Sequence, residues 1–170
     1  EHDPLAASVL VTTSMAFAEA VVAEIDQQVP GAVLEDQIRE ALSGQQSGAI
    51  VVNTMDEAIE VTNAIATEHL EIHTADNEAV LENIQHAGAI FLGQYAPVPL
   101  GDYSAGSNHV LPTSGTARFS SGLNTVSFLR LQQHIRYDKT GLEPLADGIQ
   151  TLAQSEGLHA HADAIRYRFE

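Results

Sequence analysis

A chain of 170 residues, 44% apolar and 18% charged, can bury one sizeable core and is too apolar to be disordered. Its 23 acidic residues outnumber 7 basic ones for a formal charge of −16, so the basic face behind nucleic-acid affinity is lacking and acidic membranes are equally poor partners. It has no cysteine, which excludes disulfides and thiolate metal sites and leaves histidine and carboxylate oxygen for any metal.

Ser8 to Thr12 (SVLVT) is a short β-branched run that reads as a buried strand. Ser14 is placed to cap a helix in which Phe17, Val21, Val22 and Ile25 recur at helical spacing until Pro30-Gly31. A second helix is expected over Leu34 to Leu42, ending near Gly44, and Ala49 to Val52 (AIVV) is another buried-strand signal. Thr54 then caps a helix through Ile59 and Ile65, with Glu57 in the capping-box position. Leu70 to His73 reads as a strand, Asp76 to about Gln85 as a helix, and Ala89 to Leu92 (AIFL) as a strand.

This alternation predicts an α/β fold: a Rossmann-like, open, mainly parallel sheet with helices on both faces. Ligands of such sheets bind beyond the carboxyl ends of the strands. After Gly93 the pattern stops, and residues 94–122 form a long polar segment. A helix is expected near Val126, a short strand at Ile135-Arg136-Tyr137, and helices over Gly141 to Gln154 and Leu158 to Arg168. The chain thus divides into a Rossmann-like segment, residues 1–124, and a mostly helical C-terminal appendage, residues 125–170.

No apolar run reaches the length of a membrane span, and the N-terminus lacks a signal-peptide layout, so a cytoplasmic setting is expected. The chain opens Glu1-His2-Asp3-Pro4 without a methionine, which suits a trimmed terminus or a piece of a longer polypeptide.

Three stretches contain groups able to do chemistry. In Thr67-Glu68-His69-Leu70-Glu71, adjacent Glu and His at a helix end would supply a proton-transfer pair, or are simply neighbouring polar residues. Residues 101–122 (GDYSAGSNHVLPTSGTARFSSG) hold four glycines and five serines, too varied in turn-forming groups for a flexible linker. There, His109 is placed to face a ligand, with Asp102 as a metal-binding carboxylate. In Glu156-Gly157-Leu158-His159-Ala160-His161 the two histidines would diverge on a helix, so one could ligate a metal while the other is exposed, or both are surface groups. No HExxH, GxSxG, P-loop or GxGxxG occurs.

The run GAIFLGQYAPVPLGDYSAGSNHVLPTSGTARFSSGL, Gly88 to Leu123, resembles the signature region of histidinol dehydrogenases. Glu68-His69-Leu70-Glu71-Ile72 and Glu156-Gly157-Leu158-His159-Ala160-His161 fit the same family in order and spacing. The likeness covers essentially the whole chain, which looks like the C-terminal two-fifths of the family's length.

The resemblance implies a zinc-dependent enzyme that oxidises L-histidinol, through L-histidinaldehyde, to L-histidine with NAD as hydride acceptor, the last two steps of histidine biosynthesis. It implies His2, Asp102 and His161 as zinc ligands, with a further Gln ligand falling before Glu1. His69 would be the general base and Glu68 the group that activates water. His109 and Glu156 would contact substrate, with Glu68, His69, Asp102 and His161 also bordering it. It further implies a homodimer with exchanged C-terminal tails, in which Glu156 and His161 complete the partner's site. The NAD site would lie in a preceding polypeptide, leaving this chain inactive alone. Ser107 and Thr67 stand where the family often has proline, which loosens backbone without removing chemistry. Two other readings stay open: a non-catalytic module that binds zinc and imidazole ligands or dimerises, and a zinc hydrolase using Glu68 as base.

Overall fold

A computed structural model describes all residues, 1–170, as two compact units, Glu1–Phe128 and Leu129–Glu170. In the first unit, β1 (Val9–Thr12) is followed by α1 (Met15–Gln28), α2 (Glu35–Ser43) and β2 (Gly48–Val51). Then come α3 (Met55–Ile65), β3 (His69–Ile72), α4 (Asn77–Leu81), β4 (Ala89–Leu92) and α5 (Val98–Tyr103). The helix starts follow local chemistry. Ser14 Oγ accepts the Phe17 N–H at 3.2 Å, and Thr54 Oγ1 accepts that of Glu57 at 3.2 Å. Glu57 does not close the expected box on Thr54; its carboxylate accepts the Asn53 N–H at 2.7 Å, one residue earlier. At α2, Glu35 accepts the Gly31 N–H at 2.7 Å and pairs with Arg39 at 2.9 Å.

Those two contacts hold the Glu35 carboxyl below its ordinary range, the Gly31 N–H first and Arg39 second. Because the folded value lies below the unfolded one, the stabilisation is present above the unfolded value and is lost as pH falls through the folded one. Glu35→Gln is therefore expected to lower the unfolding midpoint at neutral pH, with the two proteins converging at an acid pH below the folded carboxyl's lowered value. Urea titrations at both pH values check it; an equal gap at both would contradict it.

The α/β class and parallel pairing are as the alternation implies. The strands form two parallel pairs, however, and not one continuous sheet: β1 with β2 (Val9 opposite Gly48) and β3 with β4 (His69 opposite Ala89). Each crossover returns a strand to its own predecessor, while α3, which joins the pairs, packs on β1. The core is made mainly of small residues: Ala18, Ala41, Ala58 and Ala66 are buried with Val29, Ile72 and Phe91. Contrary to the buried-strand expectation for AIVV, all four residues of β2 are exposed, with Ile50 at 37% and Val51 at 36%. β1 and α1 pack against this strand, yet much of its apolar surface is uncovered.

Three further expectations change. The helix proposed from Asp76 stops at Leu81, because Asn83 turns its side-chain amide onto the Ala79 carbonyl at 2.9 Å and Asn63 accepts the Gln85 N–H at 2.7 Å. The polar segment after Gly93 is not structureless: Pro97 leads into α5, and Thr116–Arg118 forms a 3-10 turn. Near Val126 there is only a 3-10 turn, Thr125–Phe128.

In the second unit, residues 129–138 have no regular structure, so Ile135-Arg136-Tyr137 is not a strand. Its alternating side chains have no strand beside them, and Leu131 is 100% exposed. The helix expected over Gly141 to Gln154 is divided by Pro144, which lacks an N–H. α6 (Lys139–Leu142) passes through a 3-10 turn, Glu143–Leu145, into α7 (Ala146–Ser155). Gly157, at φ 74°, ends α7 in a Schellman motif: Leu158 N–H bonds Ala153 O at 2.8 Å and Gly157 N–H bonds Gln154 O at 3.0 Å. That reversal packs α8 (His159–Arg166) on α7 around buried Ala153 and Ala162.

Candidate active site

The sharp corner between α3 and β3 sets the position of Glu68 and His69. Ala66 takes the left-handed conformation (φ 53°, ψ 56°), is completely buried, and ends α3 with its N–H on Thr62 O at 3.1 Å. A residue with a Cβ is strained there, by an amount on the order of 1–2 kcal/mol, and burial holds it. The next residues are tied to β4: Gly88 N–H bonds Thr67 O at 2.9 Å and Ala89 N–H bonds Glu68 O at 2.9 Å. Gly88 is required at this approach, since a Cβ there would lie 2.6 Å from the Glu68 carbonyl oxygen. Glu68 and His69 thus sit at the amino end of β3, not at the carboxyl edge where α/β ligands usually bind.

The long segment reaches this end because α5 folds back. Val98, its first residue, gives its N–H to Glu71 Oε1 at 3.1 Å, while Glu71 Oε2 lies 3.2 Å from His73 Nε2. Farther along, Arg118 bonds the carbonyls of Gly115 (3.0 Å) and Ala64, which docks the loop on the C-terminal turn of α3. A cation suits the negative end of that helix. Asp102 Oδ1 comes to 3.9 Å from His69 Nε2, with side chains 21% and 25% exposed. That separation exceeds a hydrogen bond, and His69 Nε2 is shut off from solvent with no partner at all. An imidazole nitrogen left unsatisfied beside a carboxylate can take or hold a proton once a hydroxyl or water reaches it.

Of the residues singled out in the sequence, His69 and Asp102 come together, with Glu68 next to His69 in the chain at the same corner. His109 lies exposed in the loop, where the Asn108 side chain turns the backbone by accepting the Val110 N–H at 2.8 Å. His2 is exposed in the segment before β1. In the second unit, Glu156 is the exposed C-cap of α7 and His161 is exposed in the first turn of α8. Neither unit gathers three His, Asp or Glu side chains as a metal centre. Sequence reasoning missed Phe91, Glu71, Gly88 and Arg118. Only the glycine facing a strand start and the lone aromatic of the strands were signals for any of them.

A Rossmann-like α/β segment with an imidazole–carboxylate pair under a glycine-rich loop defines a class of enzyme-like folds. The comparisons narrow it. The family profile described as histidinol dehydrogenase matches residues 1–169, and the chain belongs to that family. It is 54% identical over 170 residues to the histidinol dehydrogenase of Corynebacterium diphtheriae, covering all of this chain and 38% of that protein. It is likewise 54% identical to that of Leifsonia xyli subsp. xyli, covering 39% of it, and 50% identical over 168 residues to that of Thermobifida fusca. Among solved structures, a crystal structure of histidinol dehydrogenase from Elizabethkingia anophelis matches with a TM-score of 0.82 at 30% identity, over 99% of this chain and 38% of that one. The chain therefore spans about two-fifths of the length of the relatives it matches.

Proposed function

We propose that this chain is the C-terminal part of a zinc-dependent histidinol dehydrogenase, and that it works within the family-length protein. The reaction is oxidation of L-histidinol, through L-histidinaldehyde, to L-histidine with NAD as acceptor. The observation that carries this reading is the 54% identity across the entire chain.

His69 accepts the hydroxyl proton of histidinol as the alcohol is oxidised. Glu68, one residue earlier at the same corner, takes a proton from the water that adds to the aldehyde. A positioned base of either kind contributes about 10²–10⁴ in rate. His2, Asp102 and His161 are the zinc ligands in this reading, and two imidazoles with a carboxylate are a donor set that zinc accepts. When bound, zinc supplies a fixed point of attachment for the imidazole and amine of the substrate. In this reading, as the family resemblance implies, His161 is supplied by an exchanged C-terminal tail of a second subunit. Glu156 and His109 then contact the substrate. These residues include no dinucleotide motif, so NAD is assigned to the remainder of the family-length polypeptide.

The test supplies histidinol, zinc and NAD to this chain and to the family-length protein, following NADH absorbance. Turnover is expected only from the longer protein. Turnover by the 170-residue chain alone would remove the assignment of NAD to the remainder. Tight histidinol binding without NADH from the longer protein would replace the enzyme by a binding module.

A further inference from the structure

Phe91, third residue of β4, is 9% exposed, and its ring lies between the His69 imidazole and Gly101, the residue before Asp102. On the imidazole side, the two rings stack with centroids 6.1 Å apart and planes at 27°. Toward the loop, Cε1 and Cζ of the same ring crowd Gly101: a Cβ at that position would lie 2.7 Å from each. Gly101 is buried, is the fourth of the six residues of α5, and immediately precedes Asp102. Glycine is unfavourable inside a helix, and Gly101 is not among the glycines with positive φ, so backbone conformation does not call for it. The close approach of the Phe91 ring does.

We propose that Phe91 is a positioning residue: its ring, wedged between the His69 imidazole and the Gly101 backbone, sets the separation of His69 from Asp102. A phenyl ring suits this task because it is large and has no internal torsion, so it cannot shorten between its two neighbours. Phe91 acts through the other two residues and touches no reacting atom. The catalytic consequence rests on the function proposed above, whereas the wedge itself is a matter of packing.

The experiment compares F91L, G101A and the double variant F91L/G101A, since leucine lacks the Cε1 and Cζ atoms that a methyl at 101 would strike. In NMR spectra of the 170-residue chain, the His69 ring protons (assigned by their loss in H69Q) are expected to move in F91L as the aromatic ring current disappears. They are expected to move in G101A as well, and in the double variant to return to their F91L positions. In the family-length enzyme, G101A is expected to lower kcat about tenfold or more with KM for NAD unchanged, and adding F91L to restore part of it. His69 resonances unmoved by G101A, or effects of the two substitutions that simply add, would overturn the wedge. Should G101A fail to fold, recovery of folding on adding F91L is the same coupling, and its absence counts against the proposal. A family-length protein inert towards histidinol, with the resonances moving as stated, sinks the functional reading and leaves the wedge standing.

Discussion

Under the proposed function, replacing His69 by glutamine in the family-length enzyme is expected to lower kcat for histidinol by about 10²–10⁴, the usual contribution of a positioned base. Glutamine keeps a hydrogen-bonding group of similar reach and an aliphatic stem to lie near Phe91, so the loss reports proton transfer and not collapse. KM for histidinol is expected to change much less than kcat, because the proton moves in the transition state. The imidazole is well prepared for this in the isolated chain: Nε2 has no partner and faces Asp102 Oδ1 across 3.9 Å. Steady-state rates of H69Q within threefold of the original, at saturating histidinol and NAD, would take His69 out of the role of base.

Gly88→Ala is the second large effect, and it strikes the same corner through the backbone. The added methyl would stand 2.6 Å from Glu68 O and 3.1 Å from Pro112 Cδ, and neither is the free end of a flexible side chain. Relief requires β4 to draw back from β3, which stretches the Ala89 N–H bond to Glu68 O. Overpacking of this kind costs about 1–3 kcal/mol, and each kcal/mol lowers the melting temperature of a chain this size by about 2–4 °C. Because the carbonyl displaced belongs to Glu68, activity of the family-length enzyme should fall beyond what its stability explains. Gly148→Ala is the control: it lies in α7 with nothing within 4 Å of the new methyl and should stabilise slightly, by about 0.5–1 kcal/mol. Thermal unfolding that ranks Gly88→Ala no worse than Gly148→Ala would contradict the close approach.

Features set by neighbours in the chain were legible in advance. The SVLVT and AIFL runs are strands because β-branched and apolar residues cluster there, and Ser14 and Thr54 cap helices because a hydroxyl three residues ahead of a free N–H has little else to do. Glu68-His69 and Asp102 are legible from residue type and motif, which require no distance. The break at Pro144 could have been read as well, since a proline beyond a helix's first turn removes an N–H that the helix needs.

What depends on distant segments was decided by packing. Periodicity carries no record of which strand pairs with which, so the division into β1–β2 and β3–β4 is a tertiary outcome, as is the exposure of β2. The strand expected at Ile135-Arg136-Tyr137 had the alternation of a strand and no neighbour to bond. Likewise, residue type put a histidine and an aspartate on the page, whereas their approach to 3.9 Å needed α5 to fold back under Glu71 and against Phe91. The sequence by itself determined the α/β class, the helix caps and the family, because these rest on local pattern and residue identity. Only the tertiary structure decided which side chains meet, because contact between remote residues follows from close packing, where one glycine's missing Cβ settles how near two segments can come.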